Sequence, residues 1–321
     1  MLTLMHTAMK NSITATITLL CCAVAWAQKP AEIGIISDND LYSSPINDQY
    51  YTNGLEFFYR YLGKRSDDKV AKKITEFRIG QYIYNPQSVR AGDINVNDRP
   101  FAGYLFAEAG INTFYTNESV LKINLQGGVV GPESYAEEFQ EGLHKLFSYP
   151  TVKGWQYQIV TTPVAQLQVV YSHKVLREKY HEKIDLHLQG EINAGTIWTS
   201  VSVGPMARIS LRGLLVPMYD SALHGATLSR DRDYKKRDLV LFLNPTVQYM
   251  NHDATIEGSP FNDDSPVTFP LIPFRFNADA GIKYRRDRWN FSYSVHYRGK
   301  ELSNNVITGF YYGSIQLGYL L

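Results

Sequence analysis

Strict alternation of apolar and polar residues is the feature that most constrains this chain. In residues 184–192, Asp185, His187 and Glu191 share one face of an extended segment, and the opposite face is apolar. The same pattern returns in residues 274–284 and 289–297. Successive side chains of a strand point to opposite faces, so this period of two predicts β-strands with one apolar and one charged face.

Alternation of this kind fits either a soluble β-sandwich or a membrane β-barrel, which turns apolar residues to lipid and charged residues to a polar lumen. The segments reach the length of about 9–11 residues that a tilted strand needs to cross a bilayer. The 23 tyrosines suit the aromatic girdles of such barrels. These features favour the membrane barrel.

The C-terminal segment also favours a membrane barrel. Residues 311–321 alternate up to the last residue, with Tyr319 third from the end. This resembles the terminal strand of bacterial outer-membrane proteins, although the chain ends in Leu321 rather than in phenylalanine. We therefore predict an all-β fold, a transmembrane antiparallel barrel of about twelve strands. The predicted spans are 31–41, 52–62, 73–84, 101–115, 118–130, 157–174, 181–193, 198–213, 236–250, 270–286, 288–298 and 307–321.

One segment has helical rather than strand periodicity. Between residues 134 and 147, apolar residues recur at helical spacing, and Ser134 with Glu137 matches a capping box. If the N-terminus is periplasmic, strand counting places this helix in an extracellular loop, together with the connections 42–51 and 85–100. The charged stretch 229–237 is interpreted as a solvated turn.

The N-terminus predicts export. Residues 1–27 contain Lys10, an apolar run from Ile13 to Val24 and an Ala-Trp-Ala cleavage site, the pattern of a cleaved signal peptide. Both cysteines, Cys21 and Cys22, lie in this run, so the predicted mature domain, residues 28–321, has no thiol for a disulfide, a metal or a nucleophile. The formal charge of +1 gives no indication of nucleic-acid binding.

Polar residues gather at the predicted outer ends of the strands. Each cluster also has a structural explanation as turn chemistry, a loop cation or a surface histidine. Together they form one predicted rim, which favours a functional site. The clusters are Asp38-Asn39-Asp40, Tyr50-Tyr51-Thr52-Asn53-Gly54, Asn97-Asp98-Arg99-Pro100-Phe101-Ala102-Gly103, and Gln140 with His144.

Here the sequence resembles the lipid A 3'-O-deacylase family of the bacterial outer membrane. The resemblance covers roughly residues 33–160, and the second half matches only as a generic barrel. The matching segments, in family order, are Asp38-Asn39-Asp40, Tyr51-Thr52-Asn53-Gly54, Gln81-Tyr82-Ile83-Tyr84-Asn85-Pro86, Asp98-Arg99-Pro100-Phe101-Ala102-Gly103-Tyr104, Gly128-Val129-Val130-Gly131-Pro132, Gln140, His144-Lys145-Leu146 and Gly154-Trp155-Gln156-Tyr157-Gln158.

The resemblance implies a monomeric outer-membrane enzyme that removes the 3'-linked acyloxyacyl group of lipid A with the help of Ca²⁺. Its active site would face the cell exterior, and lipopolysaccharide would be its substrate. By this resemblance the catalytic residues are His144, Asn39 and Thr52, the metal ligand is Asp40, and the substrate-binding residues are Arg90, Arg99 and Gln140.

The chemistry of these residues fits ester hydrolysis. A histidine can deprotonate water near neutral pH, and Ca²⁺ prefers carboxylate, amide and carbonyl oxygens. No Gly-x-Ser-x-Gly motif is present, which favours direct attack by water.

One departure from the family is Pro150, which stands where some members have an acidic residue. Two other functions remain open at this point: an outer-membrane phospholipase, and a small porin or binding barrel without enzymatic activity.

Overall fold

The structure is a computed structural model that describes residues 29–43, 50–65, 67–87, 92–176, 183–231, 236–304 and 306–321. The predicted signal peptide and Arg90 lie outside these ranges. Among the described residues, no helix is both long and apolar enough to cross a membrane.

Twelve antiparallel strands form the described part of the chain into a closed barrel, as predicted. Each strand pairs with its neighbours in sequence, and the first pairs with the last. The strands are β1 Ala31–Asn39, β2 Tyr51–Leu62, β3 Val70–Tyr84, β4 Ala102–Tyr115, β5 Val120–Val130, β6 Thr162–Lys174, β7 Ile184–Gly195, β8 Trp198–Ser210, β9 Arg237–Asp253, β10 Phe274–Arg286, β11 Trp289–Gly299 and β12 Gly309–Leu320.

The two faces of the barrel wall have the inverted polarity that the sequence predicts. In β11, Asn290, Ser292 and Ser294 are buried in the lumen. Trp289 and Phe291, which alternate with them, are 51% and 41% exposed on the outer surface. An outer apolar face around a polar interior is the arrangement of a barrel that sits in lipid.

Charged side chains fill much of the lumen. Arg60 lies 2.8 Å from Glu32 and 3.6 Å from Glu76, and all three side chains are at most 6% exposed. Arg78 lies between two further carboxylates, at 3.1 Å from Glu56 and 3.5 Å from Glu108. Because every one of these charges has a partner, the interior can exclude bulk water without leaving an isolated buried ion.

The segment between β8 and β9 folds back into one end of the barrel. Met218 and Leu228 pack there against Leu62 and Phe114. Lys72 anchors the segment, because its ammonium group donates to the carboxylate of Asp220 at 2.9 Å and to the carbonyl of residue 226 at 2.6 Å. We call this end of the barrel the plugged end. The opposite end, where β1 ends and a helix described below lies, is called the helix end.

A helix of twelve residues, α1 (Ala136–Phe147), lies between β5 and β6 over the helix end. The predicted capping box is wrong. Tyr135 adopts a left-handed conformation, with φ of 56°, and separates α1 from a 3-10 turn at Pro132–Ser134. The Ser134 hydroxyl therefore donates to the Gly131 carbonyl at 2.6 Å rather than accepting from the first turn of α1.

The start of the sixth strand also differs from the prediction. The sequence predicts a strand from residue 157, whereas β6 begins at Thr162. Gly154, with φ of 121°, leads instead into a 3-10 turn at Trp155–Tyr157. The Ile159 amide then donates to the Phe101 carbonyl at 2.9 Å, so this stretch lies against the wall of the barrel before joining it.

We expect Arg60→Leu to destabilise the barrel by about 3–5 kcal/mol, because Glu32 and Glu76 would remain buried without their shared cation. Urea unfolding in detergent micelles measures the change. The matched control is Arg65→Leu, which removes an exposed pair with Asp68 and should cost less than about 1 kcal/mol. An equal loss of unfolding free energy in both variants would contradict the stabilising role assigned to Arg60.

Candidate functional site

A groove of about 530 Å³ lies at the helix end, between the outer face of β1–β3 and α1. The strand residues that line the groove alternate with residues whose side chains point into the lumen. The groove therefore opens on the lipid-facing side of the wall and not on the lumen. Its lining mixes polar and apolar side chains, and most of the exposed surface is apolar. The lining residues are Ser37, Asn39, Asp40, Leu41, Tyr42, Thr52, Asn53, Gly54, Leu55, Gln81, Ile83, Phe139, Gln140, Leu143, His144, Phe147, Tyr149 and Pro150.

The end of β1 supplies Asn39 and Asp40. The strand stops because the chain turns into a 3-10 helix at Asp40–Tyr42, and the Asn39 side-chain oxygen caps that turn by accepting from the Leu41 amide at 2.8 Å. The Asn39 amide nitrogen donates to the side-chain oxygen of Asn53, its partner in the β1–β2 register, at 2.7 Å. Asp40 is 3% exposed, and its carboxylate also accepts from the Leu41 amide.

A β-bulge brings Thr52 to the same groove. Tyr51 pairs with Tyr84 and Asn53 pairs with Ile83, so Thr52 is an extra residue in β2. Bulges of this kind change the direction in which a side chain points. The buried Thr52 hydroxyl donates to the Ile83 carbonyl at 3.3 Å, a long hydrogen bond that another acceptor could replace.

Buried polar contacts fix α1 above the groove. The Trp155 indole donates to the Gln140 side-chain oxygen at 2.9 Å, and the Gln81 amide donates to the Ser134 carbonyl at 2.6 Å. Gly103 permits this approach, since a Cβ atom there would lie 2.2 Å from that of Ala136. The helix is therefore positioned by its N-terminal half, and its C-terminal half carries His144.

His144 is held in one tautomer by the backbone. Its Nδ1 atom lies 2.6 Å from the Pro150 carbonyl oxygen. A carbonyl oxygen only accepts, so Nδ1 carries the proton and Nε2 of the neutral ring has a free lone pair. The left-handed Ser148, with φ of 59°, ends α1 and turns the chain back towards the histidine. Pro150, the departure from the family, thus contacts His144 through its own backbone carbonyl.

Acidic residues of α1 point away from this arrangement. Glu137 lies outside the groove lining, and partial burial together with Glu141 and Glu138 raises the pKa of its carboxyl. Asp40 is the sole carboxylate among the described residues that line the groove. Within the described ranges, no three His, Cys, Asp or Glu side chains come close enough together to form a metal site by themselves.

Some of the site residues predicted from the sequence lie at the groove, and others do not. The structure brings Asn39, Asp40, Thr52, Gln140 and His144 to one groove, although Gln140 is buried and its oxygen is engaged by Trp155.

Arg99 is not brought to this groove. It is fully buried, stacks 4.5 Å from the Tyr84 ring centroid and donates to the Thr255 hydroxyl at 2.9 Å. These contacts are structural, and the substrate contact predicted for Arg99 stays a prediction. Arg90 lies outside the described residues.

Two groove residues, Asn53 and Gln81, were not singled out as functional from the sequence. Both occur within segments that carried the family resemblance, but their roles depend on pairing between strands. Asn53 becomes a partner of Asn39 through the β1–β2 register, and Gln81 contacts the Ser134 carbonyl, far away in the chain.

A family model described as outer membrane protein LpxR matches residues 13–321 of the chain. Among solved structures, LpxR from Salmonella typhimurium is similar with a TM-score of 0.70 and 17% identity, over 90% of this chain and 99% of that one. The beta domain of the Bordetella autotransporter Brka gives a TM-score of 0.48 and 10% identity, over 91% and 98%. No curated protein sequence matches the chain. At 17% identity the likeness to the Salmonella protein shows the fold, and the family model shows the family.

We expect Trp155→Phe to loosen α1, because the buried Gln140 oxygen would lose its donor at a cost of about 1–3 kcal/mol. Trypsin should then cleave the folded protein faster at the exposed Lys145 on α1. Trp289→Phe, at an exposed position on the outer wall, is the control. Unchanged cleavage in Trp155→Phe would show that this hydrogen bond does not hold the helix.

Proposed function

The chain belongs to the LpxR family of outer membrane proteins, and we propose that it is a lipid A 3'-O-deacylase, a hydrolase that removes the 3'-linked acyloxyacyl group. The observation that carries the proposal is His144, whose Nδ1 is bonded to the Pro150 carbonyl and whose side chain lines a groove shared with Asn39, Asp40 and Thr52. The groove lies on the outer face of the wall, where a lipid substrate can enter it sideways from the membrane.

In the proposed mechanism His144 acts as a general base. Its Nε2 takes a proton from water, and the resulting hydroxide adds to the ester carbonyl carbon. The Pro150 carbonyl keeps the ring oriented and stabilises the positive charge that develops on it. Collapse of the tetrahedral species releases the acid, and the proton on His144 passes to the sugar oxygen that leaves.

Asn39 and Thr52 are proposed to bind the reacting ester. Both lie beside Asp40 in the groove lining, at the ends of neighbouring strands. The Thr52 hydroxyl can turn from its long contact with Ile83 towards a developing oxyanion. The Asn39 amide is held by Asn53, so its orientation is set before substrate binds. A donor that is already oriented stabilises the transition state without reorganisation.

We propose that Ca²⁺ assists the reaction. Asp40 and the amide oxygen of Asn39 would hold the ion, with backbone carbonyls and water as further ligands, which are the oxygen types that Ca²⁺ accepts. When bound, the cation polarises the ester carbonyl. With one carboxylate in the groove lining, we expect affinity weaker than that of sites with several carboxylates.

The apolar part of the groove suits the acyl chains. Leu41, Leu55, Phe139 and Leu143 line it. The chains can continue from there along the exposed apolar wall below, which includes Phe57 and Ile79. Since Arg99 is buried under the loops, Arg90 is the arginine we propose for the phosphates of lipid A.

We expect His144→Ala to lower release of the 3' acyl group by at least about 100-fold, because general-base catalysis contributes about 10²–10⁴-fold. Mass spectrometry of lipid A after expression in the outer membrane measures release. His173→Ala is the control, since that ring bonds Ser119 at 2.8 Å near the plugged end.

The same experiment distinguishes the other functions. Deacylated phospholipid with intact lipid A would identify a phospholipase. Activity that tolerates His144→Ala, Asn39→Ala and Thr52→Ala would exclude this groove as the active site. No release by the wild-type protein on any lipid would favour a barrel without enzymatic activity.

We expect a chelator selective for Ca²⁺ to abolish release, and Asp40→Asn to raise the Ca²⁺ concentration needed for half-maximal activity by about tenfold or more, because the neutral amide removes the negative charge of the site. Titration of the purified enzyme with Ca²⁺ measures this. Full activity in chelator would contradict the role proposed for the ion.

A further inference from the structure

A polar cavity of about 280 Å³ lies in the lumen and is lined mainly by side chains of β6–β11. We propose that this lumen cavity is a second binding site, separate from the groove, for a small aliphatic diamine or polyamine. Its lining reaches the strand ends at the helix end, at Trp198 and Asp253, and extends inward to Asn244 in the middle of β9. Pockets for drug-sized ligands have volumes of about 300–1000 Å³, so this cavity suits a smaller molecule.

Three of the four carboxylates that line the lumen cavity are paired with arginine. Those of Asp253 and Glu301 lie 4.0 and 3.9 Å from Arg275. A third lies 2.7 Å from Arg298. The fourth is Glu191, and no cation among the described residues lies within ion-pair distance of it. A carboxylate without a partner inside the barrel favours a ligand that carries positive charge.

Two amides fix the Glu191 carboxylate and leave one of its oxygens open. Gln168 and Asn193 donate to its Oε1 atom at 3.0 and 2.7 Å. Its Oε2 atom receives no hydrogen bond from the part of the chain that the structure describes. Oε2 is therefore a charged acceptor held in place by β6 and β7. An ammonium group supplies both the donor and the positive charge that this acceptor lacks.

Other side chains of the lining are available to the same ligand. The side-chain amides of Gln189 and Asn244 make no hydrogen bond to another described residue. Each amide can present its oxygen or, after half a turn, its nitrogen. Trp198 and Met250 add apolar surface towards the helix end. A flexible methylene chain with more than one ammonium group matches this combination of oxygen acceptors and apolar contact.

Other classes of small ligand match the lumen cavity less well. A neutral sugar would leave the charge of Glu191 uncompensated, and an anion would be repelled by it. A metal ion held directly by the protein would need several carboxylate or imidazole ligands close together. The described residues contain no group of three such side chains.

The position of the lumen cavity determines how a ligand reaches it. The segment between β8 and β9 packs across the plugged end, where Met218 and Leu228 contact Leu62 and Phe114. The cavity itself is partly open and extends to the helix end. We therefore expect the diamine to enter from the helix end, inside the wall, whereas lipid would reach the groove from outside the wall.

The test is isothermal titration calorimetry of the full barrel, refolded in a non-ionic detergent without lipopolysaccharide, with putrescine as the probe. One putrescine should bind per barrel. Glu191→Gln should weaken binding by about tenfold or more, because it keeps the size of the side chain and removes its charge. The matched control is Glu118→Gln. It changes a glutamate that pairs with Lys174 near the plugged end, and it should leave the affinity unchanged.

Three results would overturn the proposal: no saturable binding at up to about 10 mM putrescine, equal affinity in wild type and Glu191→Gln, or tighter binding of glucose or magnesium chloride than of putrescine. Heat-modifiable migration on gels reports whether each variant is a folded barrel. If Glu191→Gln does not fold, Gln189→Met is the second variant. It removes an oxygen that has no hydrogen-bond partner within the described residues, so it should weaken binding several-fold without unfolding the barrel. His144→Ala should bind putrescine as the wild type does, which separates this site from the proposed deacylase groove.

Discussion

The pairing of β1 with β12 is the contact on which the rest of the structure depends. It runs from Glu32 opposite Leu320 to Asn39 opposite Gly313. Without it, two strand edges would present unpaired N–H and C=O groups to hydrocarbon, where each costs several kcal/mol. The same strand ends at Asn39 and is followed at once by Asp40, so the hydrogen bonds that close the barrel also fix where the groove lies along the wall. Strand β1 therefore both closes the barrel and positions part of the candidate site.

The alternation of the strands lets one thin wall serve two separate chemical environments. On β1, Asp38 points into the lumen and accepts from the Tyr51 hydroxyl at 2.8 Å, whereas its neighbour Asn39 lines the outer groove. In the lumen, charges such as those of Arg60, Glu32 and Glu76 pair with one another, whereas the groove mixes polar side chains with an apolar surface. Adjacent residues can thus take part in a structural ion network and in a lipid site without interfering.

Much of the fold could be predicted, because a period of two over long segments is a strong local signal. Twelve strands followed from it, and the helix between the fifth and sixth strands followed from apolar residues at helical spacing; both are confirmed. Details that depend on the local backbone were missed: Tyr135 in a left-handed conformation displaced the capping box, and Gly154 delayed β6. Five residues that the motifs singled out, Asn39, Asp40, Thr52, Gln140 and His144, lie at one groove, and their functional roles remain predictions. The environment of Arg99 could not be predicted from its motif, since it depends on contacts with Thr255, which follows β9, and with Tyr84 at the end of β3.

The contact between His144 and the Pro150 carbonyl has a consequence for how this chain can change over evolutionary time. A carboxylate in that place could be lost by one substitution and could itself gain a proton in acid. A peptide carbonyl does neither, because every amino acid supplies one and none of them titrates. The contact is instead sensitive to the number of residues between the histidine and its acceptor. A single insertion or deletion between Ser148 and Pro150 would move the acceptor away from the ring, so the length of this segment is under tighter constraint than its composition.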